Sequence, residues 1–341
     1  MRAERLPLIV ALFAAALAVS GPARAALGPG EGGITLAETR GHVTLWRIQY
    51  RAHNGLPRLA TLVLPRWYGP HLHPRLPLVI SPHGRGLSGR DNAMLWGGLP
   101  AAGSFAVISP DGQGRLLGNY SWGSPGQIAD LARMPQIAQS ELPWLRIDRS
   151  RIYAFGGSMG GQETLLLLAH HPTLLAGAAS FDAVADFALQ YRDFPQIGCN
   201  AVCRRDLGEP LGSRLRSLAR DEIGGSPVTR PLAFAQRSPI TYTRSIAASC
   251  VPLQLWWSPA DKVVIDQQRQ SGKLFWRLRK TNPRAPISGY VGFWIHSREM
   301  RATSMLPYAL AEFGLLHRAA PAEGLALHRV PAPHSACTAR R

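Results

Sequence analysis

The sequence predicts an α/β fold with a mostly parallel central sheet, helices on both faces and a cap insertion. Three observations carry this prediction. Hydrophobic residues make up 46% of the 341 residues and charged residues 17%, which is the balance of a chain that buries a large core. Short, nearly continuous apolar runs alternate along the chain with segments of helical length. One stretch, at about 182–246, interrupts this alternation without a clear strand.

The first predicted strands form a hairpin, which gives the sheet an antiparallel edge. Residues 43–51 and 59–64 have the composition of strands and flank Asn54-Gly55, a dipeptide that favours tight turns. The later strands are almost wholly apolar, as expected for strands covered on both faces, and are predicted at 76–81, 104–109, 151–155, 175–181, 251–257 and 287–294. Between them, helices are predicted at 91–101, 128–142, 160–171, 266–279 and 304–315.

The N-terminus has the features of a secretory signal peptide. Arg2 and Arg5 precede an apolar run over 6–19, and Ala23-Arg24-Ala25 places small residues at the two positions that a signal peptidase recognises. The apolar run is shorter than the about 20 residues that a membrane-spanning helix needs. We therefore expect residues 1–25 to be removed and the protein to be exported, either to the periplasm and cell envelope or to the extracellular space.

The rest of the chain is predicted to form one domain and a tail. The domain is expected to cover 26–317, with the cap inserted at about 182–246. The tail, 318–341, is rich in Ala, Pro, Arg and His and is expected to be disordered.

Four cysteines are candidates for disulfide bonds because the chain is expected to be exported. Cys199 and Cys203 are close enough in sequence to close a small loop, and Cys250 and Cys337 are candidates for a second bridge. Four cysteines allow three pairings, so the sequence leaves the connectivity open. Neither a histidine nor a second cysteine pair stands at metal-ligand spacing nearby, so no metal is expected.

Arginine dominates the charge of this chain. Lys and Arg total 38 against 21 Asp and Glu, which gives a formal net charge of +17. The arginines are scattered and form no block of five or six, so nucleic-acid binding is not expected. An anionic cell-envelope polymer stays open as a partner.

A candidate nucleophile lies between the predicted strand 151–155 and the helix that follows it. Gly156, Ser158 and Gly160 fit the pattern G-x-S-x-G. A sharp strand-to-helix turn holds such a serine in a strained conformation, and neighbours without side chains leave room for it. The turn exposes the hydroxyl and directs the helix N-terminus at the oxyanion that forms during acyl transfer.

A serine nucleophile needs a histidine as base and a carboxylate that orients the histidine, in the chain order Ser, acid, His. Asp261 stands just past the predicted strand 251–257, and His296 stands just past 287–294, where catalytic groups gather in parallel sheets. Asp266 is better explained as a helix N-cap. We therefore predict a triad of Ser158, Asp261 and His296.

The loop Pro82-His83-Gly84-Arg85-Gly86 follows the strand 76–81, where the second donor of an oxyanion hole is expected. The main-chain N–H groups of Met159 and Arg85 are predicted to face one oxygen. His83 is interpreted as a structural residue that shapes this loop.

These motifs resemble those of the α/β-hydrolase superfamily, and within it the catalytic domain of the prolyl oligopeptidase (S9-like) family and related secreted serine esterases. The similarity covers about 76–316, and its residues are Gly156 to Gly161, His83 to Gly86, Ser258 to Val264, His296 and the Ser-Pro-Ile-Thr-Tyr stretch at 238–242. Two departures from the family pattern argue against oligopeptidase activity. The chain is too short for the β-propeller of large family members, and Arg85 replaces the second glycine of the usual His-Gly-Gly loop.

The sequence therefore predicts a secreted serine hydrolase that acts on small molecules through an acyl-enzyme on Ser158, without a cofactor. Ester bonds are the expected target, and peptide bonds are the other candidate. Two alternatives stay open. An acyltransferase acting on cell-envelope components would use the same residues with a different acceptor. A non-catalytic cationic binding protein would explain the arginine excess, but the intact triad and its glycines argue against this class.

Overall fold

The computed structural model describes residues 33–116, 118–199, 201–319, 327–333 and 337. The predicted signal peptide, 1–25, lies outside the described residues. Within them, no helix is both long and apolar enough to cross a membrane.

One sheet organises the fold. In the described ranges it has ten strands, which are β1 Gly33–Arg40, β2 Val43–Arg51, β3 Pro57–Pro65, β4 Leu76–Ile80, β5 Ala106–Pro110, β6 Ile147–Gly157, β7 Gly177–Phe181, β8 Leu253–Trp257, β9 Ile287–Gly292 and β10 Leu327–Val330. Their spatial order is β1-β2-β3-β5-β4-β6-β7-β8-β9-β10. The neighbours from β5 to β9 are parallel, whereas β1, β2, β3 and β10 pair antiparallel at the two edges. The predicted mostly parallel sheet is confirmed.

Helices cover both faces of this sheet. They are α1 Gly89–Met94, α2 Leu99–Gly103, α3 Pro125–Glu141, α4 Met159–His170, α5 Phe187–Asp193, α6 Ala201–Leu207, α7 Leu211–Ile223, α8 Pro231–Gln236, α9 Thr243–Ala248, α10 Lys273–Thr281 and α11 Leu306–Glu312. The apolar side chains of α3, α4, α9 and α10 pack in one cluster, and those of α1 and α11 pack in another. Helix α4 is buried along almost its whole length because its middle turns are four successive leucines.

Two predicted helices differ in detail from the structure. The single helix predicted at 91–101 is two short helices, α1 and α2, because Gly97 and Gly98 separate them and Gly97 has a φ of +51°. The helix predicted at 266–279 begins with a π-helical turn over Gln268–Gly272 and continues as α10. Neither difference moves the strand ends at which the candidate catalytic residues lie.

The interval between β7 and β8, where the sequence predicts the cap, contains helices α5 to α9 and, among its described residues, no strand. Helices α5, α7 and α8 pack around a third apolar cluster, which includes Phe187, Phe234 and Met159. Trp122 is buried within it at 2% exposure, so it is part of this core. Met159 follows Ser158, so this cluster rests directly on the turn that carries the candidate nucleophile.

The tail departs from the prediction of disorder over 318–341. Residues Leu327–Val330 form β10, which pairs antiparallel with β9. Cys337 forms a disulfide with Cys250. The strand β10 pairs with the outer edge of β9, whose N–H and C=O groups would otherwise be unpaired. A segment of four residues has too little sequence pattern to predict this pairing. The second disulfide joins Cys199 to Cys203 in the cap.

Candidate active site

Ser158 occupies the sharp turn between β6 and α4. Its backbone has φ of 59° and ψ of −124°, a conformation that non-glycine residues rarely adopt. Such strain persists only where the surroundings enforce it. The main-chain N–H of Ser158 donates to the carbonyl of Phe181 on the neighbouring strand, at 2.8 Å, which ties the turn to β7. The structure therefore has the strained serine turn that the sequence predicts.

The glycines around Ser158 are required by close backbone contacts. A Cβ at Gly156 would lie 2.3 Å from the carbonyl oxygen of Gly160, and a Cβ at Gly160 would lie 2.2 Å from the carbonyl oxygen of Pro82. Both distances are far inside van der Waals contact. The second one also shows that the loop after β4 crosses directly over the start of α4. The G-x-S-x-G pattern thus has a steric cause at each glycine.

His296 and Asp261 form a hydrogen-bonded pair at the ends of β9 and β8. Nδ1 of His296 lies 2.8 Å from Oδ2 of Asp261. The other oxygen of Asp261 accepts from the main-chain N–H groups of Val263, at 2.8 Å, and Val264, at 3.1 Å, and the side chain of Gln267 donates to Oδ2 at 3.2 Å. The aspartate is thereby fixed from three sides, and its orientation fixes the imidazole.

The pKa values of this pair shift in opposite directions. Burial lowers the pKa of His296. The charge of Asp261 and its hydrogen bond raise this pKa by more than burial lowers it, so the net shift is upward. Burial likewise raises the pKa of Asp261, but the charge of His296 and the hydrogen bonds lower it, so its net shift is downward. Each partner therefore favours the charged form of the other. This is the electrostatic arrangement that stabilises an imidazolium during acyl transfer.

Asp182 is a second buried carboxylate in this region, at the end of β7. Its Oδ1 accepts from the N–H of Ser258, at 3.0 Å. Its Oδ2 accepts from the indole N–H of Trp294 and from the main-chain N–H of Ser297, both at 3.0 Å. Trp294 and Ser297 stand on either side of His296 in the chain. Asp182 therefore anchors the loop that carries the histidine.

Glu299 is fully buried beside Asp182. Burial raises the pKa of Glu299 well above its ordinary value, and the charge of Asp182 raises it further. Burial also raises the pKa of Asp182, to about 7, with a further contribution from Asp261. Burial and the charge of Asp182 thus both favour the protonated, neutral form of Glu299.

Ser158 and His296 lie in adjoining segments of the site. A Cβ at Gly157 would lie 3.1 Å from Oγ of Ser297, so the serine turn and the histidine loop are in contact. In the described part of the chain, no hydrogen bond joins the hydroxyl of Ser158 to His296. Such catalytic hydrogen bonds are often long before substrate binds.

Two main-chain N–H groups next to Ser158 are available as donors. Among the described residues, neither the N–H of Met159 nor that of Arg85 has an acceptor. A Cβ at Gly84 would lie 4.0 Å from Cβ of Ser158, so the loop with Arg85 adjoins the serine. His83 shapes this loop, because its buried ring bonds the carbonyl of Gly84 and the N–H of Gly112.

The polar atoms of Asp182, Asp261 and His296 all lie within 4.8 Å of one another, a spacing that metal sites also show. N–H donors already engage the oxygens of both carboxylates, however, so a cation that bound these oxygens would have to compete with them. The arrangement is that of hydrogen-bonded carboxylates around an imidazole.

The structure brings Asp261 and His296 together and places Ser158, Met159 and Arg85 beside them. Sequence reasoning missed Asp182 and Glu299. Asp182 immediately follows β7, and this position at the end of a parallel strand is the signal that identified Asp261. Glu299 carried no signal, because its importance comes only from burial beside Asp182.

Solved structures share this fold at low sequence identity. The acylaminoacyl peptidase of Pyrococcus horikoshii matches with a TM-score of 0.55 and 13% identity, over 76% of this chain and 39% of that one. The hyperthermophilic esterase of the archaeon Pyrobaculum calidifontis matches with a TM-score of 0.55 and 16% identity, over 77% and 78% of the two chains. An acetyl xylan esterase from Paenibacillus sp. R4 matches with a TM-score of 0.52 and 15% identity, over 83% and 87%.

The chain thus spans well under half of the peptidase and most of each esterase. No protein-family model matches the sequence, and no curated protein matches it. At identities of 13–16%, these likenesses bear on the fold alone.

Proposed function

Starting from a chain that has the α/β-hydrolase fold, we propose that it is a serine hydrolase that cleaves carboxylic esters through an acyl-enzyme on Ser158. One observation carries the proposal. The strained turn of Ser158 adjoins the loop of His296, whose Nδ1 lies 2.8 Å from Asp261. These three residues follow the chain order Ser, Asp, His that acyl transfer uses in such sheets.

In the proposed mechanism, Nε2 of His296 accepts the proton of the Ser158 hydroxyl, because Nδ1 is held by Asp261. The serine oxygen bonds to the ester carbonyl carbon, and the carbonyl oxygen becomes an oxyanion that accepts from the N–H groups of Met159 and Arg85. The imidazolium then gives its proton to the leaving alcohol as the ester C–O bond breaks. Water repeats the sequence on the acyl-enzyme and releases the carboxylic acid.

Esters are proposed ahead of peptides because of the lengths of the aligned chains. The alignment with the Pyrobaculum calidifontis esterase covers 77% of this chain and 78% of the esterase. The alignment with the peptidase covers 76% of this chain but only 39% of the peptidase, so this chain has the size of the esterase and not of the peptidase.

We also propose that the protein is secreted. The two disulfides, Cys199–Cys203 and Cys250–Cys337, support this, because such bonds persist in oxidising compartments. Expression of the full chain, followed by N-terminal sequencing of the exported protein, tests the proposal. A mature N-terminus at Ala26 is expected, whereas retention of an unprocessed chain inside the cell contradicts it.

The experiment for the activity is labelling with a fluorophosphonate probe, followed by peptide mapping. We expect the native protein to be labelled on Ser158 and a Ser158→Ala variant to remain unlabelled. Ser297→Ala is the matched control, because Ser297 is a neighbouring serine of the same site and its loss should leave labelling intact. Absence of labelling in the native protein contradicts the proposed function. A panel of matched aryl esters and aryl amides then tests the preference for esters.

A further inference from the structure

Arg85 lies in the loop after β4, between Gly84 and Gly86, and this loop adjoins Ser158. Gly84, on one side, adjoins Cβ of Ser158, at 4.0 Å from the position of a Cβ. Gly86, on the other side, adjoins the hydroxyl of Tyr120, at 3.4 Å by the same measure. The main chain of Gly86 is fixed as well, because its N–H donates to Asn119 at 2.9 Å. The position of Arg85 beside the nucleophile is therefore set by packing on both sides.

The guanidinium of Arg85 acts electrostatically on the catalytic pair. The side chain is partly buried, and this burial lowers the pKa of Arg85, while nearby Tyr120 and Asp261 oppose the change. Arg85 in turn is one of the groups that lower the pKa of His296. An arginine stays protonated in proteins, so the site holds a permanent positive charge.

This charge has no counter-ion within the described residues. No carboxylate lies within ion-pair distance of Arg85, and the oxygens of Asp261 already accept from the imidazole, two main-chain N–H groups and an amide. Other arginines of the chain do have partners, such as Arg133 with Asp130 and Arg329 with Glu312. A partly buried cation without a counter-ion is costly, and an anion that enters the site removes this cost.

We propose that Arg85 binds a carboxylate of the substrate, so that the enzyme prefers esters that carry a negative charge. The guanidinium has five N–H donors in a planar fork that matches the two oxygens of a carboxylate. In the proposed mechanism the main-chain N–H of the same residue donates to the oxyanion, so Arg85 would contact both the reacting carbonyl and a carboxylate close to it. This inference rests on the proposed ester hydrolysis and adds the class of ester.

The test compares kcat/KM for charged esters and for their neutral counterparts. On the acyl side, the pair is 4-nitrophenyl hydrogen adipate and 4-nitrophenyl heptanoate. On the alcohol side, the pair is 4-carboxyphenyl butyrate and 4-carbamoylphenyl butyrate, which have nearly the same shape. We expect the native enzyme to favour the charged ester of at least one pair by about 10- to 100-fold, the range of a charge-assisted hydrogen bond in a site that excludes water.

Three variants connect this preference with Arg85. Arg85→Met keeps the main-chain N–H and removes the charge, so the ratio of charged to neutral ester should fall by at least about 10-fold. Arg85→Lys keeps the charge without the planar fork and should retain part of the ratio. Arg298→Gln is the matched control, because Arg298 is exposed and only two residues from His296, and its ratio should stay within about two-fold of the native one.

Two results overturn the inference while leaving the proposed function in place. In the first, the protein is labelled on Ser158 and hydrolyses neutral esters, but prefers neither charged ester. In the second, Arg85→Met slows charged and neutral esters equally, which means that the guanidinium acts on the transition state and not on a substrate carboxylate. Loss of labelling and of all ester turnover in the native protein overturns both proposals. Circular dichroism of each variant verifies that it is folded.

Discussion

The buried carboxylate of Asp182 should control the pH at which the enzyme becomes active. A negative charge beside an imidazole stabilises the protonated form, so Asp182 raises the pKa of His296. The substitution Asp182→Asn removes this charge at nearly constant shape. The pKa of His296 then falls, and the unprotonated base persists to lower pH. We therefore expect the acid limb of the kcat/KM profile to move to lower pH.

The size of the shift follows from the geometry. The polar atoms of Asp182 and His296 lie within 4.8 Å of each other. At about this separation and an effective dielectric constant of about 20, one full charge is worth about 3.5 kcal/mol, or about 2.5 pH units. Because burial raises the pKa of Asp182 to about 7, the group carries about half a charge near neutral pH. The expected shift is thus about one pH unit.

The assay is the pH dependence of kcat/KM for a neutral aryl ester in native enzyme and variant. Asp182→Asn also loses an acceptor for Trp294 and Ser297, so its plateau should fall by about 10-fold. Glu299→Gln is the matched control, because the raised pKa of Glu299 favours the neutral form that glutamine imitates, and this substitution should leave the acid limb in place. An acid limb that stays fixed in Asp182→Asn, or that moves equally in Glu299→Gln, refutes the reasoning.

Three further predictions concern the catalytic pair and the cap. Asp261→Asn should lower kcat by about 10⁴-fold, because the imidazole takes the wrong tautomer, and Asp266→Asn serves as the control; the larger loss in Asp266→Asn would mean that the acid is misassigned. The kcat/KM of the native enzyme should rise with pH through one apparent pKa above the ordinary histidine value, since the net shift of His296 is upward; a profile that falls over this range contradicts its role as base. Replacing Cys199 and Cys203 by serine should lower the melting temperature only slightly, because closing so small a loop stabilises the fold by about 2 kcal/mol or less. The same change should alter KM or the preference for acyl-chain length. Free reaction of both cysteines with a thiol reagent in the native protein would exclude the bridge.

Much of the fold could be predicted because the signals are local. Strands β4, β5, β7 and β8 are short and fully buried, and the glycines around Ser158 mark the turn directly. The edge strands β1 and β10 were missed, since each is partly exposed and owes its conformation to pairing with a neighbour. An edge strand of four residues has too little pattern of its own to be recognised.

The candidate catalytic residues could be predicted for a related reason. Ser158, Asp261 and His296 each stand at the end of a strand, and their order is fixed by the topology. Asp182 also follows a parallel strand, but Asp261 by itself completes the order Ser, acid, His, so this order gives no reason to expect a second carboxylate. Neither the burial of Glu299 nor the lack of a counter-ion for Arg85 among the described residues can be deduced from sequence, because both depend on residues that are distant along the chain.

The most direct test of the central claim is to trap the acyl-enzyme. The native protein is mixed with 4-nitrophenyl acetate, quenched in acid during the burst of 4-nitrophenol, digested and mapped by mass spectrometry. The account predicts an acetyl group on Ser158 of the native protein and none on that peptide in Ser158→Ala. A burst that survives in Ser158→Ala, or an acetyl group on another residue, would contradict the assignment of the nucleophile.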